Sequence, residues 1–176
     1  MSVLETERLA LRELTAGDVD GLLEIFADPL AMWAYPSTKS RAETEGWVHW
    51  AQASYAANGW GLWAVIRKAD GRLLGDCGPM SQPVEGEQVA ELGWHIVRPE
   101  WGKGYATEAG RAARDWFFAN TAHDRLVSIV WPPNTASRRV GEKVHARMRE
   151  FVWEKTGTPE CLFETLRADL PELHSR

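Results

Sequence analysis

Apolar residues along this chain recur with two periods, and the switches between those periods mark out its elements. Arg8 to Arg12 alternates and predicts a strand. Thr15 follows as an N-cap, with Asp18 as an acid in the first turn. Val19, Leu22, Leu23 and Phe26 then recur at helical spacing until Asp28-Pro29 stops the helix. Ser40 and Glu43 form a capping box for a second helix, which has Trp47, Trp50, Ala51 and Ser54 along one side and closes at Asn58-Gly59. Period two returns from Gly61 to Arg67, where Leu62, Ala64 and Ile66 oppose Trp63, Val65 and Arg67. Asp70-Gly71 turns that strand into Arg72 to Gly78. A loop through Pro83 and Gly86 leads to a third strand, Gln88 to Val97. There Ala90, Leu92, Trp94 and Ile96 share the apolar face, and Val89, Glu91, Gly93, His95 and Val97 share the other.

From Lys103 to Asn120 the period is helical, with Ala106, Ala109, Ala113, Trp116 and Phe117 facing inward and Glu108, Arg111, Arg114 and Asp115 outward. Leu126 to Trp131 is a short apolar strand, and Asn134 caps a helix to about His145. Met148 to Glu154 and Cys161 to Ala168 make a last hairpin around Thr156 to Pro159. No repeat or flexible linker interrupts the pattern, which predicts one domain over residues 1–176. The predicted class is α/β, a mixed sheet of six to seven strands with about four helices in the order β-α-α-β-β-β-α-β-α-β-β.

Net charge is −5, which argues against nucleic acid as partner, since a binder needs a basic excess to neutralise phosphates. The N-terminus MSVLETERL has acids where a signal peptide needs bases, and Ala51 to Ile66 is too polar to span a bilayer. The expectation is a cytoplasmic protein with no membrane partner. Cys77 and Cys161 stand far apart and suit a reducing compartment, and the five histidines have no metal-ligand spacing, so no metal site is expected. Ten tryptophans are many for this length. Most would be core residues; the alternative is that a few line an acceptor pocket, as apolar area and cation-binding faces.

The stretch PEWGKGYATEA (Pro99 to Ala109) joins the third strand of the meander to the long helix. A helix N-terminus has unpaired amides and roughly half a positive charge. Gly102 and Gly104 leave those amides open, so the junction suits a diphosphate, with Lys103 as an additional cation. It is not a Walker loop, since GxxxxGK[ST] is absent. It is also a poor dinucleotide fingerprint, because Thr107 stands where a third glycine belongs.

Together with its strand, AELGWHIVRPEWGKGYATEA resembles the acetyl-CoA-binding segment of the GCN5-related N-acetyltransferases, and most closely the RimJ/RimL-type branch of ribosomal-protein and aminoglycoside N-acetyltransferases. Pro133 to Lys143 is similar to that branch's N-x-x-S helix, and Leu4 to Arg12 to its first strand. The resemblance implies the fold of that family and acetyl-CoA as co-substrate. It also implies direct transfer of the acetyl group to a primary amine, either a protein N-terminus or a small molecule. A homodimer is compatible with it. The cofactor residues it implies are Trp94, His95, Ile96 and Val97 on the strand, Trp101, Gly102, Lys103, Gly104, Tyr105 and Ala106 at the loop, and Asn134 and Ser137 beyond. Two departures stand out. Pro99 takes a place usually held by Gln or Arg and has no N–H, and Val144-His145 replaces a common Leu-Gly, which predicts an altered helix end.

The chemistry requires a base for the ammonium and an acid for the leaving thiolate. Glu91 is the first candidate base, with His95 or a water chain as alternatives; each side chain also has a structural role open to it. The last helix lacks the tyrosine that many relatives use as acid, so Ser137 is the substitute donor unless it only caps the helix. A CoA-binding module without turnover is the competing reading, and a dinucleotide-dependent oxidoreductase a distant one.

Overall fold

The structure, a computed structural model, describes residues 1–174. In chain order the elements are β1 Leu4–Glu5, β2 Leu9–Glu13, α1 Val19–Phe26, α2 Arg41–Asn58, β3 Trp63–Arg67, β4 Leu73–Val84, β5 Glu87–Ile96, α3 Tyr105–Asn120, β6 Arg125–Val130, α4 Thr135–Val144, β7 Arg147–Trp153, β8 Thr158–Leu166 and α5 Leu170–His174. Among the described residues the sheet has eight strands, in the order β1-β2-β3-β4-β5-β6-β8-β7. All neighbours pair antiparallel except β5 and β6, which are parallel and joined by α3. The α/β class and mixed sheet agree with expectation; short β1 and α5 are additions.

The capping signals act as predicted. The Ser40 hydroxyl accepts from Glu43 N at 3.3 Å, and the Glu43 carboxylate accepts from Ser40 N at 2.7 Å, so two orphan donors of α2 are satisfied reciprocally. Asp18 accepts from Thr15 N at 2.8 Å and pairs with Arg12, fixing the turn into α1.

The predicted loop through Pro83 is instead strand, because β4 continues to Val84 and turns tightly at Glu85-Gly86. Proline cannot donate to a ladder on both sides. Here β4 pairs with β3 only as far as Cys77, so beyond that point it has one paired edge, and both Pro79 and Pro83 sit in that half.

The sheet separates two cores. Leu9, Leu11, Trp63 and Leu92 pack beneath α3 through Ala109, Ala113 and Phe117. On the other face Leu62, Ala64 and Met80 pack against Leu22 and Phe26 of α1 and Val48 and Ala51 of α2. Arg114, expected outside, is only 3% exposed. Its guanidinium donates to Val144 O and pairs with Asp115, so it ties α3 to the end of α4.

His145 leaves α4 in extended geometry and is buried between Ser128 and Thr165, 2.9 Å from one hydroxyl and 3.0 Å from the other. Burial pushes its pKa down to about 3, with the nearby Arg114 charge acting in the same direction. The unfolded chain therefore binds a proton near pH 6.5 that the folded chain refuses, and the stability contribution, complete above that pH, is lost as pH falls towards 3. Glu91 works oppositely between about pH 4.5 and 7, because burial raises its carboxyl. Comparison with His145→Gln cancels the Glu91 contribution. From pH 7 to 5 the wild type should lose stability relative to the variant, by at most about 1.4 kcal/mol per pH unit. Parallel melting curves across that range would contradict the assignment.

Candidate active site

β5 and β6 pair only at Ala90–Leu126 and Glu91–Val127. Beyond those pairs the strands part, and the gap has a definite polarity. Leu92 O accepts from the Ser128 hydroxyl of β6 at 2.6 Å, whereas Val97 N donates to Leu74 O of β4 at 2.8 Å. Backbone groups alternate along a strand, so the N–H groups of Trp94 and Ile96 point into the gap with no ladder partner there. This is an unpaired strand edge inside the protein, open to an extended amide-bearing ligand.

The gap belongs to a cleft of about 430 Å³. Of the residues expected to hold a cofactor, Trp94, His95 and Ile96 line it from β5, and Asn134 and Ser137 from α4. Trp101, Gly102, Gly104, Tyr105 and Ala106 line it from the junction with α3. Val97 does not, since its side chain packs in the core beneath α1 and α2. Thr107, Arg139 and Lys143 join the lining, and the two cations of α4 face the cleft that the junction opens.

The junction has the geometry its glycines predict. Gly102 and Gly104 have φ of 77° and 85°, and Gly104 is the residue immediately before α3. Pro99 fits a short helical turn, Arg98–Glu100, that needs no N–H from it. Lys103 departs from expectation. Its Nζ lies 2.9 Å from Glu100, which also pairs with Arg67 at 3.1 Å, and Lys103 is not among the cleft residues. The cation thus braces the loop through Glu100. A second brace comes from Arg8, which donates to Lys103 O at 3.0 Å and pairs with Glu108 in the first turn of α3.

The two candidate bases share a face of β5 but differ in access. Glu91 is buried and does not line the cleft; its carboxylate accepts from Ile129 N at 3.3 Å, and burial pushes it up to about 7. His95 lines the cleft between two polar partners. Its Nδ1 is 2.7 Å from Asp76, and its Nε2 is 2.8 Å from the Tyr35 hydroxyl. Asp76 is fully buried and also accepts from Trp47 Nε1 at 2.7 Å. In its carboxylate form Asp76 can only accept, which places the His95 proton on Nδ1 and leaves Nε2 to accept from Tyr35.

Asp76 and Tyr35 were not foreseen. Asp76 had one signal, a lone acid in the apolar run LLGDCG; its register opposite His95 depended on the hairpin that the prolines concealed. Tyr35, sixty residues from His95, had none.

Asn134 caps α4 as predicted, its side chain accepting from Ser137 N at 3.2 Å. Because Asn134 supplies the cap, the Ser137 hydroxyl is left to the cleft. Ser137→Ala should therefore depress kcat with little change in Tm, and donors with better thiolate leaving groups should suffer less. A fall in Tm matching a lost cap, roughly 0.5–2 kcal/mol, with unchanged kcat would assign Ser137 to the helix instead.

Among the described residues no cluster of metal-ligating side chains occurs, and no helix is long and apolar enough to cross a membrane. Residues 8–147 match the acetyltransferase (GNAT) domain family. The chain is 37% identical to the uncharacterized protein YkkB of Bacillus subtilis, over 92% of this chain and 94% of that one. Its fold is similar to that of an acetyltransferase from Agrobacterium tumefaciens, at a TM-score of 0.80 and 28% identity with 92% of each chain covered. It is also similar to RimL, a ribosomal L7/L12 α-N-protein acetyltransferase solved with coenzyme A, at a TM-score of 0.76 and 14% identity over 94% and 98% of the chains. The family match spans the parted strands, the glycine junction and the α4 cap together, and the chain therefore belongs to the GNAT acetyltransferase family.

Proposed function

We propose that the protein transfers the acetyl group of acetyl-CoA directly to a primary amine, without an acyl-enzyme intermediate. The observation that carries this reading is the unpaired edge of β5 opening into the same cleft as the N-terminus of α3. The pantetheine arm pairs with the N–H groups of Trp94 and Ile96 and the C=O of Trp94, as an added strand would; Ile96 O already accepts from Trp101 Nε1 at 2.5 Å. The pyrophosphate sits at the amides after Gly102 and Gly104, and Arg139 and Lys143 supply charge for the phosphates. An N–H group of the same edge polarises the thioester carbonyl.

The ammonium's proton leaves through His95. With Nδ1–H held by Asp76, Nε2 is the basic atom, and Tyr35 bridges it to the cleft: the phenol gives its proton to Nε2 and takes one from the amine. Glu91 is the second reading for the base, favoured by a carboxyl raised to about 7, near the operating range. Ser137 donates to the departing thiolate, passing its hydroxyl proton to the sulfur while taking one up from solvent.

The test is twofold. Acetyl-CoA should raise Tm, as a ligand selective for the folded state must, and an added amine should then release free thiol. Stabilisation without thiol release from any amine would favour a binding module.

A further inference from the structure

Trp94 and His95 project from opposite faces of β5, so the cleft passes through the parted sheet. Trp94 packs on the α3 side, whereas His95 meets Phe26 of α1 at 5.2 Å and Trp47 of α2 at 5.8 Å between ring centres. On this second face the cleft walls include Trp33 and Tyr35, carried by the segment between α1 and α2. Both residues are exposed, at 48% and 45%, though the Tyr35 hydroxyl turns inward to His95, and Trp33 packs on Trp131, itself 40% exposed, at 5.4 Å.

The segment is pinned. Asp28 pairs with Arg98 at 2.7 Å and accepts from Leu30 N, Met32 is buried, and Lys39 N donates to Phe26 O. Exposed indoles held in place at the mouth of a cleft offer apolar area at little ordering cost. Charge narrows the occupant further. Among the described residues the one carboxylate lining the cleft is Glu100, already shared by Arg67 and Lys103. Lys39 stands 5.3 Å over the Trp47 ring, so a cation already occupies that face. A polyamine or an aminoglycoside would bring several ammonium groups to a wall without free carboxylates.

Building on the amine-acceptor reading, we infer that Trp33, Trp131 and Tyr35 form an acceptor pocket for a monoamine on an aromatic or aliphatic body. The body lies against the Trp33–Trp131 pair, and its single amine reaches the Tyr35 hydroxyl.

The experiment compares 2-phenylethylamine, spermidine, kanamycin and a short peptide with a free polar N-terminus as acceptors, using the wild type and Trp33→Ala. Phenylethylamine should have the highest kcat/KM, and Trp33→Ala should raise its KM about tenfold while leaving kcat nearly unchanged. Preference for spermidine, kanamycin or the peptide, with Trp33→Ala neutral, would overturn the pocket while leaving acetyl transfer intact. Binding is read separately, with CoA present, by tryptophan fluorescence. Phenylethylamine binding that Trp33→Ala weakens, without turnover, would support the pocket and remove the transferase reading. No such binding would overturn the pocket whatever the turnover.

Discussion

His95→Gln should lower kcat by roughly 10²- to 10⁴-fold, the usual range for a lost general base, with acetyl-CoA affinity nearly intact. Affinity is spared because the backbone of β5, not the imidazole, receives the pantetheine. Glutamine cannot take up a proton at neutral pH, so the Tyr35 phenol would lose its acceptor. Asp76→Asn tests the same relay from behind. Asp76 accepts from both Trp47 Nε1 and His95 Nδ1, and an asparagine offers only one oxygen for the two donors. The variant should favour the wrong imidazole tautomer, moving the proton to Nε2 and lowering kcat without touching the cleft wall. Glu91→Gln should cost less than about threefold, since the Glu91 carboxyl lies outside the cleft lining and is held by Ile129 N. A large loss in Glu91→Gln, with a small one in His95→Gln, would transfer the base to the buried carboxyl.

Gly104→Val should abolish stabilisation by acetyl-CoA. At φ of 85° a β-branched residue is strained, and its Cβ would lie 3.4 Å from the Arg8 guanidinium that braces the loop. The side chain would also stand over the amides at the start of α3. Backbone strain costs about 1–3 kcal/mol, so the variant's own Tm should fall. Binding is therefore read as the ligand-induced shift above that lowered baseline. A full shift in the variant would place the phosphates elsewhere.

Local chemistry made much of this legible in the sequence. The Ser40–Glu43 box, the Asn134 cap and the paired glycines each act within a few residues, where backbone rules dominate. The alternation along Gly61 to Arg67 likewise set Leu62 and Ala64 on one face and Trp63 and Val65 on the other, and the two pairs pack in different cores, because period two assigns faces without knowledge of the partner strand. What escaped depends on register and distance. Pro79 and Pro83 looked like loop residues because nothing local says that β4 outruns β3. Once that hairpin was misjudged, Asp76 could not be set opposite His95. Arg114 followed the helical period of its charged neighbours, yet the end of α4 supplied a buried carbonyl for it. Lys103 had the right position for a phosphate cation, but Glu100, three residues before it, was the nearer charge.

Direct transfer is tested most directly by mass spectrometry of a single turnover. Enzyme, isotopically labelled acetyl-CoA and 2-phenylethylamine are mixed and quenched with acid, and both protein and amine are weighed. Direct transfer puts the label on the amine, releases an equivalent amount of free CoA, and leaves the protein at its unmodified mass throughout. Label accumulating on the protein before the amine, or CoA released with no acetylated amine, would contradict it.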